Sequence, residues 1–259
     1  MRRSGRRLAL SLGLAFALAL GACSDDGGTP EATVVSGAGN IDDEVQEYRD
    51  LLGPDNGGAP EQHASGRREI NWDAVPDELA RPNGYPSDFF NATEDPRARG
   101  IVLTTPGDSL GVSADAENPA GAAVRFGDIN PTYVDAFRTH SEERLFSPVG
   151  SNVVNVTFFV PGTDTPAVVR GFGAVYTSVD LEETAAFELF DADGGSLGTF
   201  SVPVSQDGLS FLGIAFPDPI VARVKIVYGN SELGPDDGGE VDVAVMDDFI
   251  FGEPQPIDG

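Results

Sequence analysis

Ala222-Arg-Val-Lys-Ile-Val-Tyr228 alternates without a break, with Val224, Ile226 and Tyr228 on one side and Arg223 and Lys225 on the other. Successive side chains of a strand point to opposite faces, so a period of two predicts a strand with one buried face. An antiparallel sheet resting on a core gives this pattern. The same pattern recurs in both directions along the chain. Runs rich in Val, Ile, Phe and Thr predict strands over Glu69–Asp73, Gly100–Thr104, Gly111–Ala114, Ala122–Phe126, Asn152–Val160, Val168–Thr177, Ala185–Asp191, Ser196–Val202, Phe211–Ala215 and Val241–Phe251. Clusters of Gly, Pro, Asn and Asp separate them, at the spacing of a sandwich. Asp191-Ala-Asp-Gly-Gly195 lies between two runs and reads as a hairpin loop. Asn130-Pro131 is a cap followed by a first-turn proline, and it predicts one short helical crossover carrying Tyr133, Val134 and Phe137 on one face. Residues 69–259 therefore predict one all-β domain, an antiparallel jelly-roll β-sandwich long enough to bury a real core.

The N-terminus is of another kind. Four arginines lie within the first seven residues, followed by an apolar run from Leu8 to Leu20 and then Gly21-Ala22-Cys23. That order is a secretory signal over residues 1–22, and its apolar run is too short to span a bilayer. Leu20-Gly-Ala-Cys23 resembles the lipobox of bacterial lipoproteins. The resemblance implies lipidation of Cys23 and cleavage before it, leaving an extracytoplasmic protein anchored to a bacterial membrane. In a host with two membranes, Ser24 after the cysteine is compatible with the outer one. Two or more acyl chains hold a protein stably where one does not.

Cys23 is the only cysteine, so a lipidated chain has no thiol left for a disulfide, a zinc site or a nucleophile. Losing residues 1–22 removes four of the 16 basic residues and none of the 42 acidic ones, so the net charge goes from −26 to −30. Such a surface disfavours nucleic acid as a partner. From residue 23 to residue 68 the composition is polar and rich in glycine, which predicts a flexible tether. Within it, Ile41, Val45, Tyr48 and Leu52 share a helical face behind Asn40. A helix this short is marginal alone and needs a surface to form against.

Ile70-Asn-Trp-Asp73, Gly171-Phe-Gly-Ala-Val-Tyr176, the hairpin at Asp191–Gly198, Phe211-Leu-Gly213 and Met246-Asp-Asp-Phe-Ile-Phe-Gly252 carry a second resemblance. Together they resemble secreted bacterial jelly-roll sandwiches, similar to carbohydrate-binding modules and to the ectodomains of PEP-CTERM-sorted proteins. The C-terminal membrane helix and basic tail of the PEP-CTERM group are not found here, which leaves anchoring to Cys23. The resemblance implies a non-catalytic binding role, with polysaccharide or another envelope component as the partner. The alternatives are an architectural or adhesive surface protein without a small ligand, and a carboxylate-dependent glycoside hydrolase.

The candidate site residues follow from this reading. Asp247 and Asp248 fall inside the last expected strand, and one of them should turn toward the interior or a sheet edge, where a carboxylate needs a partner. In the resembled modules the first and last strands often share a structural calcium ion. That makes Asp73, Asp247 and Asp248 the expected ligands of Ca²⁺, whose ligands are oxygens. Asp191 and Asp193 do not make an EF-hand loop, because Val202 stands where a glutamate is required. His140 has no Gly-x-Ser-x-Gly elbow to serve and reads as a surface or turn residue. Tyr85 and Tyr133 are the aromatic candidates for stacking on a sugar. A row of exposed aromatics would favour sugar binding, and an uninterrupted charged face would favour architecture.

Overall fold

The computed structural model describes residues 30–257; the signal and Cys23 lie outside the described residues. Fourteen strands form two seven-stranded antiparallel sheets. The first sheet contains β1 (Thr33–Ala38), β2 (Arg67–Ile70), β4 (Ser109–Val112), β5 (Phe146–Val149), β8 (Gly171–Val179), β11 (Ser205–Ala215) and β13 (Val245–Gly252). The second contains β3 (Ile101–Thr104), β6 (Val153–Phe159), β7 (Pro166–Val168), β9 (Ala186–Phe190), β10 (Ser196–Ser201), β12 (Arg223–Val227) and β14 (Gln255–Pro256). The chain crosses repeatedly between the sheets, so their inner faces enclose one contiguous core around Phe158, Phe172, Tyr176, Phe187, Tyr228, Phe249 and Phe251. The architecture is the expected all-β sandwich. Two helices accompany it, α1 (Asp42–Leu52) and the single turn α2 (Tyr133–Ala136).

β12 and β6 keep the in–out alternation of their sequences. β8 and β13 do not, and every residue in both is buried. Their outer faces are covered as well. Val45, Tyr48 and Leu52 of α1 pack on Val175, Phe211, Ala215 and Ile250. Elsewhere on the sandwich, Phe126, Tyr133, Phe137 and Leu145 pack with Leu233, Val243 and Val245.

The tether expected over residues 23–68 is therefore corrected. From Thr33 onward the chain belongs to the fold, because β1 pairs with β11 along its whole length and α1 docks beside it. The docking is made possible by glycine. A Cβ on Gly213 would lie 2.6 Å from the Tyr48 ring, and one on Gly173 would lie 2.7 Å from it. With only hydrogens there, the ring lies directly on the sheet and its hydroxyl donates to the Ile214 carbonyl at 2.8 Å. The next stretch is fixed by a buried ion pair. Arg68 binds Glu253 through Nε and Nη2 at 2.7 and 2.8 Å, and its Nη1 donates to the carbonyls of Gly57, Ala59 and Ala98.

Two strand expectations change. Ala122–Phe126 is not a strand, since Arg125 and Phe126 have φ of 52° and 63°, and only Val124 bridges to Ala114. The expected strand over Val168–Thr177 divides between the two sheets, and β1, β5 and β14 were not anticipated. The hairpin at Asp191 holds: Asp191 Oδ1 accepts the N–H groups of Asp193 and Gly195.

Candidate functional site: a polar cleft beside the bulge of β13

Between Met246 and Phe249 the register of β13 against β8 shifts. A bulge of this kind bends the strand and re-aims its side chains. Here it carries Asp247 and Asp248, and the indole N–H of Trp72 donates to the Asp247 carbonyl at 2.6 Å. Asp248 lines an open cavity of about 350 Å³ together with Arg49 of α1, Asp55, Glu69 of β2, Asn71, Arg99, His140 and Ser141. The elements that form its wall are held by ion pairs. Glu69 takes a two-pronged contact from Arg49, at 2.9 and 2.7 Å, and a further bond from Arg67. Burial alone would raise the Glu69 carboxyl, but the arginine hydrogen bonds outweigh it and hold the group below its ordinary value.

His140 lies in a bend, as expected of a surface or turn residue, and its ring is half-buried and engaged. Its Nδ1 lies 3.3 Å from Asp248 Oδ2 and its Nε2 lies 3.4 Å from Asp42 Oδ1, so the ring links β13 to the start of α1. The hydrogen bond to Asp248 raises the imidazole pKa, against the opposing effect of burial. Ser141 Oγ donates to Asp247 Oδ1 at 2.8 Å and not to His140, so the pair forms no nucleophile–base relay. Burial and the neighbouring Asp248 charge push Asp247 up to about 7, although His140 and Ser141 donate to it.

The three acids expected to hold calcium have other partners. Asp73 accepts the backbone N–H groups of Glu142, Glu143 and Arg144, and Asp247 accepts those of His140 and Ser141. One loop, residues 140–144, thus donates backbone N–H groups to both Asp73 and Asp247. Among the described residues no group of three or more His, Cys, Asp or Glu side chains is arranged to hold a metal ion.

The aromatic candidates are also placed differently. Tyr133 is fully buried, stacked on Phe137 at 4.4 Å, with its hydroxyl bonded to the Gly234 carbonyl. Tyr85 is buried edge-on to Trp72. Both are core. Among the described residues the large apolar side chains that are exposed are Val34 and Ile257, so no aromatic row stands on a sheet face.

What sequence reading missed is the cleft's polar set of Arg49, Asn71, Arg99 and His140. Two cleft atoms, Arg99 Nε and Asp248 Oδ1, are buried without a hydrogen-bond partner among the described residues.

No protein-family model matches the chain, and no curated protein matches it significantly. A two-domain protein of unknown function from Bacteroides fragilis aligns with a TM-score of 0.25 and 13% identity, over 59% of this chain and 47% of that one. The enzymatically active domain of tailspike protein 4 from bacteriophage CBA120 aligns with a TM-score of 0.28 and 12% identity, over 65% of this chain and 20% of that one. This chain thus spans less than half of the first structure and a fifth of the second. Likenesses this distant carry no argument.

Proposed function

We propose that this protein is a lipid-anchored envelope protein whose β-sandwich binds polysaccharide without transforming it, through the cleft between α1 and the β13 bulge. The observation that carries the reading is the lining of that cleft. Every wall residue is polar or charged, and Arg99 and Asp248 each keep one hydrogen-bonding atom unused. Buried polar groups of a folded protein are nearly always paired, so two unpaired ones in one cleft point to a ligand or to ordered water. Sugar hydroxyls donate and accept together and match this mixed wall. Anchoring rests on Leu20-Gly-Ala-Cys23, and a chain without a remaining thiol suits the extracytoplasmic side.

The test is binding of the full-length protein, in mild detergent, to a glycan array and to envelope polysaccharide fractions. Asn71 is exposed at the cleft, and its side chain makes no hydrogen bond among the described residues, so Asn71→Ala spares the fold. We expect retention by wild type and a loss of about tenfold or more in Asn71→Ala, the equivalent of one good hydrogen bond at about 1.4 kcal/mol. Failure of every glycan to bind, or equal binding by the variant, would overturn the reading.

A further inference from the structure

A second cavity, of about 180 Å³, adjoins the polar cleft. Ile70, Trp72, Pro76, Phe89, Phe90 and Pro96 give it an apolar and aromatic wall. The two cavities share Asn71 and Arg99. Two guanidinium groups stand over the aromatic side, with Arg97 4.9 Å from the Phe89 centroid and Arg99 5.8 Å from that of Phe90. An apolar surface, a hydroxyl-matching surface and a cationic edge therefore meet along one boundary.

Arg99 holds that boundary. Arg49 and Arg67, the neighbouring arginines, are taken up by Glu69, and Arg97 by Glu94. Arg99 donates Nη1 to the Glu69 carbonyl, leaves Nε without a partner, and forms no carboxylate ion pair among the described residues. Burial, the largest influence on it, lowers its pKa, as expected of a cation held partly out of water. A guanidinium with free donors in such a place is best satisfied by an anion with two oxygens in one plane.

We infer that the joined cavities recognise a sugar acid, with the carboxylate on Arg99, the apolar face of the ring against Phe89 and Phe90, and the hydroxyls toward Asn71 and the polar cleft. The inference rests on the polysaccharide reading above and narrows it. The chain's charge of −26 sets a limit on the polymer. Beyond a Debye length of ~8 Å the acidic surface is screened, but a continuous polyanion would run across it at close range. The ligand is therefore a uronate residue set singly in an otherwise neutral chain.

The test is calorimetric titration of the full-length protein with a panel of oligosaccharides in three matched forms: bearing one uronate, bearing its methyl ester, and lacking the acid. We expect the acid to bind at least about tenfold more tightly than its ester, the usual margin of a charge-assisted over a neutral hydrogen bond. Arg99→Gln should collapse that ratio toward one, and Arg99→Lys should restore it in part, because a lysine brings the charge without the fork. Equal binding of acid and ester by the wild type would overturn the inference, with no variant needed. So would a preference that survives Arg99→Gln in protein of unchanged melting temperature. If neutral forms bind and acids do not, this inference alone fails. If nothing in the panel binds, the polysaccharide reading fails with it.

Discussion

Tyr176 lies in the middle of β8, fully buried, with a hydroxyl that has no hydrogen-bond partner among the described residues. An unsatisfied buried hydroxyl costs about 1–3 kcal/mol, whereas the ring that carries it contributes packing. Tyr176→Phe keeps the ring and removes the conflict. It should leave stability unchanged or raise it by up to about 1 kcal/mol in denaturant titration; a loss of that size would mean that the hydroxyl is bonded after all. The cleft's titratable groups make a second prediction. Asp247 holds its proton up to about 7 when folded, against 3.8 ordinarily, so its contribution is complete at low pH and is lost as pH rises between those values. His140 is raised too, so its contribution is present below 6.5 and is lost as pH rises through its folded value. Glu69 is lowered below 4.5 and acts oppositely, losing its contribution as pH falls. Melting temperature should therefore peak near pH 4, where the Glu69 gain gives way to the Asp247 loss, and decline toward pH 8, and His140→Asn should flatten the part of that decline above pH 6.5. A curve rising from pH 5 to pH 8 would contradict these assignments.

At the scale of elements, the N-terminal strap formed by β1 and α1 shows where sequence reading succeeded and where it stopped. The helical face of Ile41, Val45, Tyr48 and Leu52 is visible in the sequence, and so is its need for a surface. The surface itself is not, because Gly173 and Gly213 read as weak points in strands until Tyr48 is seen to occupy the space they leave. β1 opens on three β-branched residues, Thr33-Val-Val35, but Ser36 and Gly37 cut the run short, and it is a strand because β11 offers it an edge. The β13 bulge is similar. Its two aspartates stand out in the sequence as acids in need of partners, but the partners are backbone amides of a loop about a hundred residues away, and no local pattern reports those. Gly213→Ala should cost about 1–3 kcal/mol by overpacking against the ring, and Tyr48→Ala about 3–5 kcal/mol by emptying the site. Trypsin has sites at Arg49, Arg67 and Arg68, and the docked strap should shield them. The resistant product of limited digestion should retain Thr33–Leu52; one beginning near Glu69 would show that the strap is detached.

Taken whole, the molecule is legible from its sequence in architecture and much less so in its site. Alternation and turn chemistry predict the sandwich because strands covered on one face, such as β6 and β12, satisfy them locally. The cleft is assembled from α1, β2, the segment before β3, the 140–144 loop and the β13 bulge, none of which advertises the others. Integration of the strap also changes how the protein would sit on a membrane. With Cys23 lipidated, the ten residues before Thr33 reach at most about 35 Å, so the sandwich stays close to the bilayer. Cys23→Ala should abolish fatty-acid labelling and release the protein from the membrane fraction; unchanged labelling would remove the anchor from this account. The central claim is that the cleft around Arg99 receives the ligand, and the side-chain Nε–Hε resonance of Arg99 reports on it most directly. Once assigned through its loss in Arg99→Lys, that signal should shift as polysaccharide is titrated into the protein, because the buried Nε–H then gains a hydrogen-bond acceptor. A saturating titration that leaves it unmoved, while signals elsewhere on the sandwich respond, would place the binding site somewhere else.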